Sequence, residues 1–257
     1  MVLTKEQEKL VEMQLSKHDR PTLKTKIVLN GRRRKFLNLV IERGVFGSDI
    51  MSSGIYLAKF LYNNRKLFSG KICLDMGCGP GTQGLVMAMY GAKEVILSDV
   101  SHGAVKNARL NIEQLGARNA KAFESDLFRA LPKTKRFDII VFNHPFFSIT
   151  PGQFRTSAFN DMMIKRSMLG GTRLIKRFLK DVPRHLKQDG ILIMPFFHFA
   201  GKENDPAMHL NKYHLKIIRQ EKIESSKGLQ LGSFSIYVIR LTDLYLLQPE
   251  HQRVRHH

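Results

Sequence analysis

Acidic residues are scarce in this sequence: 22 Asp and Glu stand against 42 Lys and Arg, a formal net charge of +20 over 257 residues. A balance so far from neutral points first to a polyanionic partner, because a basic surface concentrates phosphate-bearing molecules around it. Cysteine is nearly absent. Cys73 sits in an apolar stretch and Cys78 in a glycine-rich loop, so a reduced pair is a simpler reading than a disulfide. No stretch approaches the roughly 20 uninterrupted apolar residues of a membrane span. The opening segment Thr4–Lys9 has no apolar centre of the kind a signal peptide needs, and a cytoplasmic protein with no membrane partner is expected. The chain also lacks H-E-x-x-H, clustered Cys and His pairs and spaced carboxylates, so no metal is expected. Internal repeats and low-complexity stretches are missing as well.

With 43% hydrophobic residues, the chain suffices for one domain with a small extension. We expect the extension in residues 1–46, the main domain in 47–248 and a mobile tail in 249–257. Leu10, Met13 and Leu15 suggest a short amphipathic helix within 4–18. Leu23–Leu29 and Phe36–Ile41 flank Asn30-Gly31 and read as a hairpin with a two-residue turn. That puts the Arg32–Arg34 cluster just past the turn, to grip a phosphate backbone or to cover one edge of a sheet. A helix pattern over 50–61 follows Gly47-Ser48-Asp49, and strands and helices then alternate. Strands are expected at 72–74, 94–98, 120–123, 138–142, 191–195, 215–222 and 234–241, and helices at 83–89, 104–115 and 171–185. Such alternation implies an α/β fold with a parallel sheet and right-handed crossovers, the last hairpin bringing one antiparallel strand. Basic residues gather at 32–35, 133–136, Lys165-Arg166, 173–180 and 253–257, which suggests a basic face rather than a basic tail.

The turn Asp75–Gly81 reads D-M-G-C-G-P-G, between an apolar strand and a helix-like run. Gly77, Gly79 and Gly81 let backbone approach a ligand with no side chain in the way. A dinucleotide fingerprint wants its third glycine where Thr82 stands, which argues against NAD. A phosphate-cradling loop needs a lysine followed by Ser or Thr, whereas this loop continues Thr82-Gln83, so a nucleoside triphosphate is disfavoured. Asp99 closes the second strand, where a carboxylate can accept from both ribose hydroxyls of an adenosine.

The strand Asp138–Phe142 ends in Asn143-His144-Pro145-Phe146, on the side of the sheet where Gly77 and Asp99 lie. An amide or base amine reacts at its nitrogen only when the lone pair is freed from conjugation and held in an attacking geometry. Two acceptors for its N–H bonds achieve this by positioning alone. Asn143 supplies a side-chain acceptor and His144 a backbone carbonyl. Pro145 fixes the turn, and Phe146 offers a flat surface to a planar group. His144 could instead act as a general base with a suitable intrinsic pKa.

These segments resemble the class I S-adenosylmethionine methyltransferases. The likeness is to the amino-methylating group with an N-P-P-F/Y signature, which includes release-factor glutamine methyltransferases and ribosomal and transfer RNA base methyltransferases. His144 departs from the proline usual there. Ser98–Gly116, Ser125-Asp126-Leu127-Phe128 and Arg136-Phe137-Asp138 extend the likeness over roughly residues 70–200. The resemblance implies a seven-stranded, mostly parallel Rossmann-like methyltransferase sheet with S-adenosylmethionine as cofactor. Asp75, Gly77, Gly79 and Gly81 would line the methionine and sulfonium side, and Asp99 would hold the ribose. Asp126 would accept from the adenine amine with Leu127 beside the ring, and Asn143, His144, Pro145 and Phe146 would be catalytic. An N-methyltransferase with RNA as favoured acceptor is expected. The alternatives are a protein glutamine or amine methyltransferase, a small-molecule enzyme with a pocket of Phe146, Phe147, Phe154, Phe196, Phe197 and Phe199, and a non-catalytic cofactor-binding subunit.

Overall fold

The computed structural model describes Lys5 and residues 21–47, 52–146, 170–223 and 233–247. The remaining residues of the 4–18 segment, Ser48-Asp49, Lys165-Arg166 and the tail 249–257 lie outside the described residues. The strands β1 (Leu23–Asn30) and β2 (Lys35–Ile41) pair antiparallel as a separate two-stranded sheet. Ile27, Leu29, Leu37 and Leu39 face inward, while Lys24, Lys26 and Asn38 are exposed. This is the period of two expected of a half-buried strand.

The turn departs from the Asn-Gly expectation. Asn30 pairs with Lys35, so residues 31–34 make a four-residue loop. Asn30 Oδ1 accepts from the Arg33 N–H at 3.0 Å, and Arg34 takes a φ of 47°. Arg32–Arg34 are thus the tip of the hairpin itself. Nor does the hairpin cover a sheet edge: it packs on the helices α1 (Ser52–Asn63) and α3 (His102–Gln114). Two buried amides fasten it there. Asn111 accepts from Val40 N and donates to Val40 O, both at 2.8 Å, and donates to Pro80 O at 2.9 Å. Asn107 donates to Val40 O at 2.9 Å and accepts from Glu42 N at 3.1 Å.

The main sheet has seven strands: β3 (Ile72–Met76), β4 (Glu94–Asp99), β5 (Ala120–Glu124), β6 (Phe137–Phe142), β7 (Leu186–Phe197), β8 (Leu215–Ile223) and β9 (Phe234–Leu241). Their order is β5-β4-β3-β6-β7-β9-β8. The first five in that order are parallel, and β9 runs antiparallel to both β7 and β8. This is the expected Rossmann-like methyltransferase sheet. Leu74, Ile139, Ile140 and Val141 are fully buried, since helices cover both faces and leave no polar alternation. The helices α2 (Thr82–Met89) and α4 (Gly171–His185) complete the crossovers, and α5 (Asp243–Leu247) follows β9.

The chain leaves β3 toward β4 and β5, then returns to place β6 on the other side of β3. That reversal opens a crevice at the carboxyl ends of β3, β4 and β6. β7 exceeds the expected 191–195 at both ends, because Leu186 already pairs with Phe137 and Pro195 sits within the strand opposite Ile236. Of the aromatic residues expected to form an apolar pocket, Phe196 and Phe197 of β7 are buried in the core, Phe199 just beyond the strand packs against it, and Phe146 lines the crevice. Phe147 and Phe154 lie outside the described residues. Asn111→Ala would strand the Val40 N–H and remove both donated bonds, each unsatisfied buried group costing about 1–3 kcal/mol. Urea unfolding should show a lower midpoint with an unchanged slope.

Candidate cofactor and acceptor site

The crevice holds about 1180 Å³ of empty space, part of it in the open mouth. Its floor is the turn between β3 and α2. Gly77, Gly79 and Gly81 all take positive φ (62°, 53° and 92°), the left-handed region that only glycine enters freely. A Cβ at Gly77 would meet the Phe142 ring at 3.1 Å, and one at Gly79 would meet the Phe46 carbonyl at 3.3 Å. The turn is tied to β4 by two bonds, Cys78 N to Ser98 O at 3.0 Å and Gly79 N to Asp99 Oδ2 at 3.0 Å. Asp99 Oδ1 also accepts from Ser101 N at 2.9 Å, which fixes the carboxylate in the wall of the crevice.

Gly77, Gly79, Asp99, Asp126, Leu127, Asn143, His144, Pro145 and Phe146 all line this one crevice, whereas Asp75 and Gly81 do not. Asp75 is buried beneath the turn, where its Oδ2 accepts from Gly84 N at 2.7 Å. Gly81 caps α2, and a Cβ there would touch Leu97 at 3.0 Å and Leu85 at 3.1 Å. Both residues therefore shape the turn from beneath the crevice lining. Gly84 does what the missing third glycine would do: a Cβ on it would stand 2.7 Å from Leu97 Cγ, so its absence lets α2 close on β4.

Sequence reasoning missed one wall. Gly44, Val45 and Phe46 follow β2, and with Ser53 and Gly54 of α1 they line the crevice. Gln83 lines it too and donates to Gly54 O at 3.1 Å. No local motif announces these residues. The Asn107 and Asn111 anchors were the available signal, since two adjacent turns of one helix each carry a buried amide.

At the far wall, Leu127 has a φ of 53°, a left-handed conformation costing about 1–2 kcal/mol for a residue with a Cβ. Ser125 Oγ holds it by donating to Leu127 O at 2.6 Å. Asp126 is engaged from outside by Arg177 at 2.7 Å, a half-exposed pair.

At the end of β6, two acceptors are buried with no partner among the described residues: Asn143 Oδ1 and His144 Nε2. His144 Nδ1 lies 3.2 Å from the Pro145 carbonyl. That carbonyl can only accept, so Nδ1 carries the hydrogen and Nε2 presents a bare lone pair. Burial pulls the His144 pKa down to about 4. The imidazole is therefore neutral at physiological pH and a weak base, contrary to the general-base reading that assumed its ordinary pKa. Burial also raises the Cys78 thiol, helped by Asp99 and Asp75, which leaves no thiolate nucleophile in the crevice. Among the described residues, no group of three His, Cys, Asp or Glu side chains could hold a metal ion, and no helix is long and apolar enough to cross a membrane.

Burial pushes the Asp75 carboxyl up to about 7 against the Gly84 hydrogen bond, with Asp99 adding to the rise. The folded state then binds the Asp75 proton more tightly than the unfolded chain does. The contribution of this group to stability is full below about pH 4 and is lost as pH rises toward about 7. Asp75→Asn keeps an acceptor for Gly84 N and should flatten that part of a stability-versus-pH curve measured by thermal unfolding.

Residues 37–215 match the model of the methyltransferase small domain. The chain is 31% identical over 123 residues to the ribosomal protein uL3 glutamine methyltransferase of Xanthomonas campestris pv. campestris, covering 47% of this chain and 40% of that one. It is 37% identical over 106 residues to the ribosomal RNA small subunit methyltransferase C of an Enterobacter species, covering 40% of this chain and 29% of the other. The curated relatives that head the comparison are matched over 59% or less of their own length. Among solved structures, SMU.776 complexed with SAH superposes with a TM-score of 0.59 at 14% identity, over 85% of this chain and 56% of that one. The match to the family model over more than half of the sequence, on a sheet of this order, makes the chain a member of the methyltransferase small domain family, a group of S-adenosylmethionine-dependent methyltransferases.

Proposed function

We propose that the chain is an S-adenosylmethionine-dependent N-methyltransferase acting on an exocyclic or amide nitrogen, with RNA as the favoured acceptor. The observation that carries this reading is the buried, unpartnered Asn143 Oδ1 in the wall of the crevice that also holds the glycine turn and Asp99. A buried carbonyl oxygen without a donor is costly, and an N–H from an acceptor molecule removes that cost.

The residues present fit the cofactor. Gly77 and Gly79 give a side-chain-free floor, Asp99 a carboxylate for ribose hydroxyls, and Asp126 and Leu127 a rim for an adenine. S-adenosylmethionine supplies an electrophilic methyl group when bound. Asn143 Oδ1 accepts one N–H of the target amine, and a second acceptor comes from the His144 carbonyl or its bare Nε2. Holding both hydrogens pulls the nitrogen toward pyramidal geometry and frees its lone pair. Phe146 is buried at the crevice wall and packs edge-on against His144 at 4.9 Å, a rigid apolar surface for a planar group. On this reading the enzyme works in the cytoplasm with its two cysteines reduced.

RNA is favoured by the net charge of +20. A protein glutamine is the second reading, supported by the likeness to a ribosomal protein glutamine methyltransferase. Radiolabelled methyl transfer into a cell extract separates them. Label released by RNase supports RNA, and label released only by protease supports the protein reading.

Asn143→Ala should leave cofactor affinity within about twofold and lower kcat by at least about a hundredfold, the scale of losing one transition-state hydrogen bond. Retained turnover would exclude the amine-positioning role. Asp99→Ala removes the ribose carboxylate and two backbone anchors, so calorimetry should show a loss of S-adenosylhomocysteine affinity of at least about tenfold, the scale of a charge-assisted hydrogen bond.

A further inference from the structure

We propose that the exposed face of α4, carrying Arg173, Lys176, Arg177 and Lys180, is a track that holds the phosphate backbone of an RNA acceptor while its base enters the crevice. This inference rests on the RNA reading above.

The helix is divided cleanly. Ile175, Phe178, Leu179 and Val182 are fully buried, while the four cations are exposed. Their spacing of three, four and seven residues sets them in one stripe. The stripe runs seven residues, about 10 Å of helix axis, a row long enough to meet successive phosphates of one strand. Like charges at this spacing repel, and Asp181, the helix's one acid, is half-buried at its edge. Among the described residues, only Arg177 of the four is held in an ion pair.

Position ties the stripe to the site. Leu174, between two of the cations, lines the crevice. Gly170, just ahead of α4, packs so close to Pro145 that a Cβ on it would stand 3.2 Å from the Pro145 ring. The first turn of the helix therefore abuts the acceptor end beside Asn143. Further along, Arg177 reaches Asp126, which lines the opposite wall. The start of the helix thus borders the mouth, from Gly170 beside Pro145 to Arg177 on Asp126.

An acidic side chain on a protein would need one cation, not a row of them. A base that must enter a recessed crevice leaves its sugar-phosphate chain outside, and such a chain needs a row of cations along the rim. The hairpin tip Arg32–Arg34 is a poorer candidate. The crevice wall begins at Gly44, just past the end of β2, and the tip lies at the other end of that strand, about 20 Å away at the rise of a β-strand.

The test is a variant carrying Arg173→Ala, Lys176→Ala and Lys180→Ala, with Arg177 kept because it holds Asp126. All three side chains are exposed, and S-adenosylhomocysteine affinity by calorimetry reports whether the crevice is intact. The probe is a fluorescein-labelled oligouridylate of about 24 nucleotides, titrated by anisotropy across salt concentrations. Wild type should bind with a steep salt dependence. The variant should bind at least about tenfold more weakly at about 100 mM salt, with a slope of log K against log salt smaller by about 2, since three single-strand phosphates contribute roughly 0.7 each. The KM for total cellular RNA should rise in parallel. Unchanged RNA affinity and KM in the variant, with wild type still methylating RNA, would overturn the track and leave the proposed function standing. If wild type labels only protease-sensitive material and binds the oligonucleotide without salt dependence, the RNA reading fails and the track with it.

Discussion

The approach of α2 to β4 at Gly84 is the contact on which the head of the sheet depends. With no side chain at that position, Leu97 packs directly on helix backbone, and the Asp75 carboxylate reaches the Gly84 N–H at 2.7 Å. The turn between β3 and α2 has no freedom left. It must cross from strand to helix in a few residues, which is why three of them are glycines with positive φ. Cys78 and Gly79 then bond to the end of β4, so two strands, one helix and the turn behave as one rigid floor. A preorganised floor of this kind is what catalysis by positioning needs, because no binding energy is spent on ordering it.

Around that floor, the walls come from distant parts of the chain. The segment after β2 reaches the crevice because α3 offers two buried amides to the hairpin backbone, and one of them, Asn111, also donates to Pro80 in the turn. The far wall depends on Leu127, whose left-handed backbone is stabilised by Ser125. Strain at such a position persists only where the surroundings over-determine it. The three hydrogen bonds that Ser125 and Asp99 place around that segment provide this.

Much of this was legible in the sequence, for a physical reason. Backbone that must take positive φ demands glycine, so the turn 77–81 could be read residue by residue. The cation-rich helix expected over about 171–185 runs from Gly171 to His185. What could not be read depends on contacts between remote residues. Asp75 and Asp99 are both carboxylates on strands that reach the crevice, yet one turns to a helix N–H and the other to the crevice, and nothing local distinguishes them. The hairpin turn misled because Asn-Gly is a strong local signal, but the side chain of Asn30 caps a longer loop instead. The aromatic residues of β7 belong to the core because a strand two neighbours from the sheet edge is covered on both faces. The role of His144 turned on burial, which sets its protonation and which no sequence pattern states.

The ion pair between Asp126 and Arg177 joins the interior of the crevice to the outer face of α4. Its two side chains are 41% and 51% exposed, so it adds little to stability in water, and its significance lies elsewhere. On the proposed reading one carboxylate would serve both an interior ligand and an exterior cation, and two sites that share a group are thermodynamically coupled. A ligand that draws on Asp126 alters the field around Arg177, and an anion resting on Arg177 alters that ligand's affinity by the same factor, in whichever order they arrive.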